Sequence, residues 1–352
     1  MMFSELILPI IILIVMAVLG GLAPLVQPKN LLFGVRIPQK LLKTAVPSHF
    51  KRKFIKTYLS IDLVWLIIGI FIIFKFGSGP YIYTILVQIL IMFGNYAFWN
   101  KKVKNWKEEK LQQQPGLASQ NTARVVDTQF RKEKLTIHNF WYFIPGVLLF
   151  FQLAINLYYY LTVSEQMVRK EQIVSLIISS IFIFVIMLWQ HYVIRNAKQQ
   201  VSARNPQKSR QQNILFRRRW SKFLFIILTL LIIGNLVMNL SYLDIIDLDA
   251  QISENVYMIV PLLALIGSVI LAIVTGQSGS RIDLDNNEEE SEYDDVDDDN
   301  HWKLGIFYYN PADPSFLVEK RIGVGWTLNF ANPKSYIFII AIIAILIITS
   351  TV

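Results

Sequence analysis

Two pairs of side-chain amides interrupt the apolar stretches of this chain. Gln152 and Asn156 stand four residues apart, as do Asn235 and Asn239, so on a helix each pair lies on one face. An amide both donates and accepts hydrogen bonds. Surrounded by hydrocarbon, two such pairs have two uses. They can join helix to helix, at roughly 0.6 kcal/mol per bond, or they can line a polar site toward the outer leaflet that holds a peptide or a lipid headgroup. Asp62 is the one acid inside an apolar run. An intramembrane carboxylate suits a proton relay, while Lys56 or Arg36 could pair with it, or it could reach water.

Other catalytic chemistry is not visible. The chain has no Cys, which removes disulfides, thiolate metal sites and thiol nucleophiles. His49, His138, His191 and His301 are scattered, without a zinc-type His-Glu-x-x-His spacing. Gly323-x-Gly325 lacks the third glycine and the following helix of a dinucleotide turn. No P-loop and no Ser nucleophile elbow occur. The expectation is a protein that is not an enzyme, with no catalytic residue, no cofactor and no metal site.

The elements that must position these residues are membrane helices. Of 352 residues, 54% are hydrophobic and 17% charged, with mean hydropathy +0.44. Soluble domains carry about 25% charge. Eight apolar runs approach the 20 or so residues needed to cross a bilayer: 6–26, 59–76, 81–99, 140–161, 173–194, 223–243, 256–275 and 336–352. None alternates as a barrel strand would. The first is expected to be retained, because no positive segment precedes it and no small-residue cleavage site follows. It carries Pro9, where a bend is expected. The fold class expected is an all-α integral membrane protein with about eight transmembrane helices and a small cytoplasmic β-rich appendage.

Charge gives the orientation. Of 34 Lys and Arg, the segments 27–58, 100–139, 195–222 and 276–335 hold eight, nine, nine and five, while the loop 244–255 has acids only. By the positive-inside rule these basic segments are cytoplasmic and both termini extracellular, in a bacterial plasma membrane. The net charge of +9 thus points to a bilayer with an anionic inner leaflet as partner, and not to nucleic acid.

Along the chain, residues 1–58 read as a first transmembrane helix followed by a basic amphipathic segment. In its second part Lys and Arg alternate with Phe50, Phe54 and Tyr58, as in a helix lying on the inner leaflet. Residues 59–276 read as a six-helix core. Aromatic-basic lead-ins at Phe50, Phe130 and Phe216, and the matching amide pairs, suggest repeated helical hairpins. Residues 277–300 contain eleven acids between Arg281 and Asn300 and are expected to form a disordered, solvated linker. That linker is expected to neutralise part of the basic loop Arg195–Lys222, with its Arg217-Arg218-Arg219 cluster, and to hold the module Trp302–Phe330 under the bundle. The stretch from Asp283 to Asp294 resembles an EF-hand loop but has Glu288 where Gly is needed, so no specific Ca²⁺ site is expected. Residues 301–335 read as a small β-rich cytoplasmic domain with strands at 304–309, 316–318 and 322–330, too small to be stable alone. Residues 336–352 read as a last transmembrane helix.

The C-terminal signature is Trp302-x-x-Gly305-x-Phe307-Tyr308-x-Asn310-Pro311-x-Asp313-Pro314, followed by Lys320-Arg321-x-Gly323-x-Gly325-Trp326-Thr327-x-Asn329-Phe330. It resembles a C-terminal domain of unknown function found in uncharacterised multi-pass membrane proteins of Gram-positive bacteria. Leu32-Phe33-Gly34-Val35-Arg36-Ile37-Pro38 looks like a second element of the same proteins. The middle region is distantly similar to the SdpI-like family, which the resemblance associates with immunity to a peptide toxin. Those proteins often carry a Pro-x-His-Phe-Asn-like loop, whereas Tyr158–Gln172 has no His and no Gly, so no ligand residues carry over. The function expected is envelope-protective or immunity-like: resistance to a membrane-active peptide, or envelope-stress sensing, with a peptide or another membrane protein as partner. The alternative is a transporter or a membrane subunit of a transport complex.

Overall fold

The computed structural model describes residues 3–77, 79–119, 121–125, 127, 133–162, 170–248, 250–284 and 291–351. Among these residues, six helical stretches are long and apolar enough to cross a membrane: Val46–Phe76, Tyr81–Gln113, Asn139–Thr162, Val174–Asn196, Pro206–Tyr242 and Tyr257–Gly279. The chain is therefore a multi-pass membrane protein. Two shorter apolar helices, Pro9–Leu22 and Pro333–Ala344, fall at the first and last of the eight apolar runs.

The described residues form two compact units. The first comprises residues 1–130, 197–213 and 272–352. It begins with α1 (Phe3–Leu22), which runs through Pro9 as one helix. A two-residue hairpin follows, β1 (Leu31–Leu32) with β2 (Val35–Arg36). Its turn needs two left-handed residues, and Phe33 (φ 49°) and Gly34 (φ 76°) supply them. After the short α2 (Gln39–Leu42) come α3 (Val46–Phe76) and α4 (Tyr81–Gln113). At 1.5 Å per residue, their 31 and 33 residues reach about 46 and 50 Å, well beyond a hydrocarbon core of about 30 Å. Both thus extend out of the bilayer.

That extension corrects one expectation. The basic segment before span two is not a separate helix on the leaflet but the first half of α3. Its apolar face is used inside the protein. Phe50, Phe54 and Tyr58 are buried with Phe33, Tyr96 and Trp99 in one aromatic core. Phe33 lies 5.0 Å from Phe54 and 5.9 Å from Trp99 between ring centroids.

The C-terminal part of this unit holds hairpins β5 (Trp302–Lys303) with β6 (Phe307–Tyr308), and β7 (Leu317–Glu319) with β8 (Trp326–Leu328), after the short parallel pair β3 (Thr122–Ala123) and β4 (Asp294–Asp295). The strand expected at 304–309 is interrupted because Leu304 (φ 56°) and Gly305 (φ 71°) form a tight turn. The strand expected at 322–330 shrinks to 326–328, since Gly323 and Gly325 both take positive φ. The last helix is α9 (Pro333–Thr351).

The second unit comprises residues 131–196 and 214–271. It contains α5 (Phe143–Thr162), α6 (Lys170–Asn196), and most of α7 (Pro206–Tyr242) and α8 (Ala250–Thr275). Glycines let helices approach closely, as expected where apolar solvent gives no drive for association. A Cβ on Gly234 would come within 2.8 Å of the Tyr257 ring, and one on Gly267 within 2.7 Å of the Phe223 ring.

Candidate functional site

In the second unit, the amides from α5 and α7 meet. Gln152, Asn156, Asn235 and Asn239 are all buried. Asn239 Nδ2 donates to Asn156 Oδ1 at 2.9 Å, joining α7 to α5. Asn156 Nδ2 donates to the Gln152 carbonyl oxygen, 2.7 Å away on its own helix. Asn235 Nδ2 donates to Ser179 Oγ at 3.0 Å and Ser180 Oγ at 3.1 Å, joining α7 to α6. Ser179 and Ser180 were not among the expected site residues, and two adjacent hydroxyls inside a span are the signal that would have found them.

Helix joining does not use the whole cluster. Among the described residues, neither Oε1 nor Nε2 of Gln152 has a hydrogen-bond partner, although the residue has 0% exposure. The side-chain oxygens of Asn235 and Asn239 also lack one. A buried polar group left unpaired costs about 1–3 kcal/mol. Three acceptors and one donor of the cluster therefore remain without a partner among the described residues.

Asp62 lies in the first unit, where α1, α3 and α4 pack together. It is 1% exposed. Neither Lys56 nor Arg36 is its partner. Gln88 Nε2 lies 3.3 Å from Asp62 Oδ1 and 2.9 Å from the Leu13 carbonyl oxygen, so one amide nitrogen serves both. Gln88 Oε1 is buried without a partner among the described residues, and the buried Tyr58 hydroxyl faces the Asp62 carboxylate. The structure thus separates Asp62 from the amide cluster, and places each in its own unit.

Arg36 is engaged elsewhere. The second half of the acidic run, expected to be a solvated tether, is an ordered clasp. Arg36 pairs with Asp295 at 2.9 Å and Asp298 at 3.1 Å, and its backbone N–H donates to Asp299 at 3.0 Å. Lys107 from α4 reaches Asp297 at 2.5 Å and Asp299 at 2.8 Å. Arg204 holds Asp294 at 2.6 Å. Arg321, 1% exposed, bridges Asp298 and Asp299, donates to the Gly34 carbonyl and lies over the Trp302 ring at 5.0 Å. The run folds because basic groups and backbone N–H groups neutralise it, where composition alone predicts repulsion. Burial raises the carboxyl pKa of Asp298 and Asp299, but Arg321 together with Arg36 at Asp298, and with Lys107 at Asp299, outweighs it and holds both below the usual range. Within the expected target, Arg195–Lys222, it is Arg204 that meets the run, while Arg217 is buried and donates to the Ile194 carbonyl at 2.6 Å, and Arg218 to that of Lys134. The EF-hand-like stretch lies mostly outside the described residues.

The motif residues of the C-terminal module build its interior. Asn329, 0% exposed, donates to the carbonyls of Asn310 and Asp313 at 3.0 and 2.9 Å and accepts from the Asn310 N–H at 3.1 Å. Tyr308 Oη donates to Asp313 at 2.9 Å, and Lys198 reaches the same carboxylate at 2.6 Å. Burial opposes ionisation of Asp313, yet hydrogen bonds from Lys198, Ser315 and Tyr308 bring its pKa down to about 2. Burial pushes that of Tyr308 up to about 12. The module does not stand alone. Asn213 donates to Glu319 at 2.6 Å, and Gln277 exchanges two bonds with the Gly325 backbone, at 2.7 and 2.8 Å. These residues hold structure.

No curated protein and no solved structure matches the chain. Over residues 311–336 it matches a family of unknown function, DUF5808, so the module just described is a domain of unknown function carried by a multi-pass membrane protein.

Proposed function

We propose that this is an envelope-protective, immunity-like protein of a Gram-positive plasma membrane that binds a membrane-active peptide at the amide cluster of the second unit. The observation that carries the reading is Gln152, fully buried with both side-chain polar atoms unpartnered among the described residues. A peptide backbone entering the bundle would supply a carbonyl to Nε2 and an N–H to Oε1, Asn235 or Asn239. In this reading α1 and α9 also cross, giving eight spans, with the basic segments and the C-terminal module cytoplasmic and both termini extracellular. The protein acts by binding and not by turnover, and its bulk partner is the anionic inner leaflet.

The test is a deletion strain challenged with a panel of cationic amphipathic peptides. Deletion is expected to lower the inhibitory concentration of at least one peptide. The wild-type gene should restore it, and Gln152→Leu should not, at equal membrane level. An unchanged deletion phenotype, or full rescue by Gln152→Leu, refutes the reading.

A second reading, a transporter or a transport-complex subunit, is favoured by Asp62, a buried carboxylate beside the shared Gln88 amide and the Tyr58 hydroxyl with no cation as partner among the described residues. It requires that Asp62→Asn abolish function, whereas the peptide-binding reading requires that this variant still protect.

A further inference from the structure

A cavity of about 450 Å³ opens in the first unit, and neither Asp62 nor Gln88 lines it. Its lining brings together Lys29, Lys43, Lys51 and Arg204, beside Leu31 and Leu42, and includes no carboxylate. Arg204 is paired with Asp294. Lys29, Lys43 and Lys51 have no ion-pair partner among the described residues, although the acidic clasp that neutralises Arg36 and Lys107 belongs to the same unit. Arg281 adds a repulsive charge on Lys51. Lys29, Lys43 and Lys51 thus bring like charge together with no carboxylate in the lining, and an anion seated among them relieves their repulsion.

Position narrows the ligand. Lys29 follows the first apolar run, which ends at Val26, by three residues. Lys51 precedes the apolar run beginning at Leu59 by eight residues on the continuous α3, about 12 Å along the axis. The cavity therefore spans the layer of headgroups that borders the hydrocarbon, and its Leu side chains offer apolar surface next to the charge. We propose that it is a binding site for a phosphate-bearing anion, with an anionic phospholipid of the adjoining leaflet as the source. Basic pockets flanking membrane helices on the cytoplasmic side recognise such headgroups.

The experiment uses the full chain in detergent, read by native mass spectrometry and thermal shift. Its probes are phosphatidylglycerol, phosphatidylcholine and inorganic phosphate. Phosphatidylglycerol is expected to bind and to stabilise, and phosphatidylcholine is not. With each basic group contributing as near a membrane surface, Lys43→Gln/Lys51→Gln should weaken phosphatidylglycerol about 30-fold. Lys43→Gln alone, at an exposed turn, should weaken it about fivefold, which keeps the test valid if the double variant misfolds. Arg52→Gln/Lys53→Gln, exposed and outside the cavity, should change little. Inorganic phosphate binding with the same variant dependence, without phosphatidylglycerol binding, would keep the phosphate chemistry and overturn the lipid source. Equal losses in cavity and control variants, or no binding of either anion, would overturn the site.

Discussion

Replacing Arg321 with Gln should open the clasp while leaving the membrane helices in place. The guanidinium bridges Asp298 and Asp299, donates to the Gly34 carbonyl and lies over Trp302. Removing one partner of a buried ion pair costs about 3–5 kcal/mol, because the other charge stays buried. Here two carboxylates lose one shared cation, although Arg36 and Lys107 still face them, so the lower end of that range applies. A loss of about 3 kcal/mol is roughly a 150-fold change in an opening equilibrium. Hydrogen exchange on the purified full chain reads this directly. Amides of β5, β6, β7 and β8 should exchange about two orders of magnitude faster than in wild type, with those of α5 and α6 unchanged. Arg321→Lys should fall between, since an ammonium keeps the charge but not the fork. Adding Asp298→Asn to Arg321→Gln should cost less than the two single effects together. Unaltered exchange in Arg321→Gln would show that the clasp does not hold the module.

Acid should loosen the same region. The carboxylates of Asp294, Asp298, Asp299 and Asp313 are held below their usual pKa, so their stabilisation is present above about pH 4. It is lost as pH falls through the folded values, which for Asp313 is about 2; Trp302 fluorescence should shift in that window and not between pH 5 and 8. Gly34→Ala should cost about 1–3 kcal/mol, because φ is 76° and the new Cβ would meet the Gly305 carbonyl oxygen at 2.7 Å; thermal unfolding of the purified variant checks it. Asn329→Ala should destabilise the module by at least about 2 kcal/mol through its orphaned backbone partners, seen as faster proteolysis after Asn310. Asn156→Leu and Asn239→Leu share one hydrogen bond, so the double variant should lose less stability in a melt than the sum of the singles.

The membrane helices were legible because a span satisfies its own backbone, and runs such as Leu63–Phe74 announce it without reference to the rest of the chain. Their extensions were not. Phe50, Phe54 and Tyr58 alternate with basic residues in a pattern that fits a leaflet as well as an aromatic core. Only the hairpin that delivers Phe33 between α3 and α4 decides it. The order of the acidic run is hidden for the same reason: of its partners, Arg204 lies in the basic loop expected to meet it, but Arg36 and Lys107 lie in other segments, and local composition carries no information about them. In the candidate site, the i, i+4 spacing correctly placed each amide pair on one face, and Asn156 does meet Asn239. Which amide would be left over was not readable, because that depends on where Ser179 and Ser180 of α6 fall.

The most direct test needs no ligand. If Gln152 joins helices, Gln152→Leu should lower the unfolding temperature of the full chain in lipid nanodiscs. If it is held for a ligand, the leucine removes two unpaired buried polar atoms and should raise stability by about 1–3 kcal/mol. The expected result is the rise, together with loss of protection in cells. A fall in stability would contradict it.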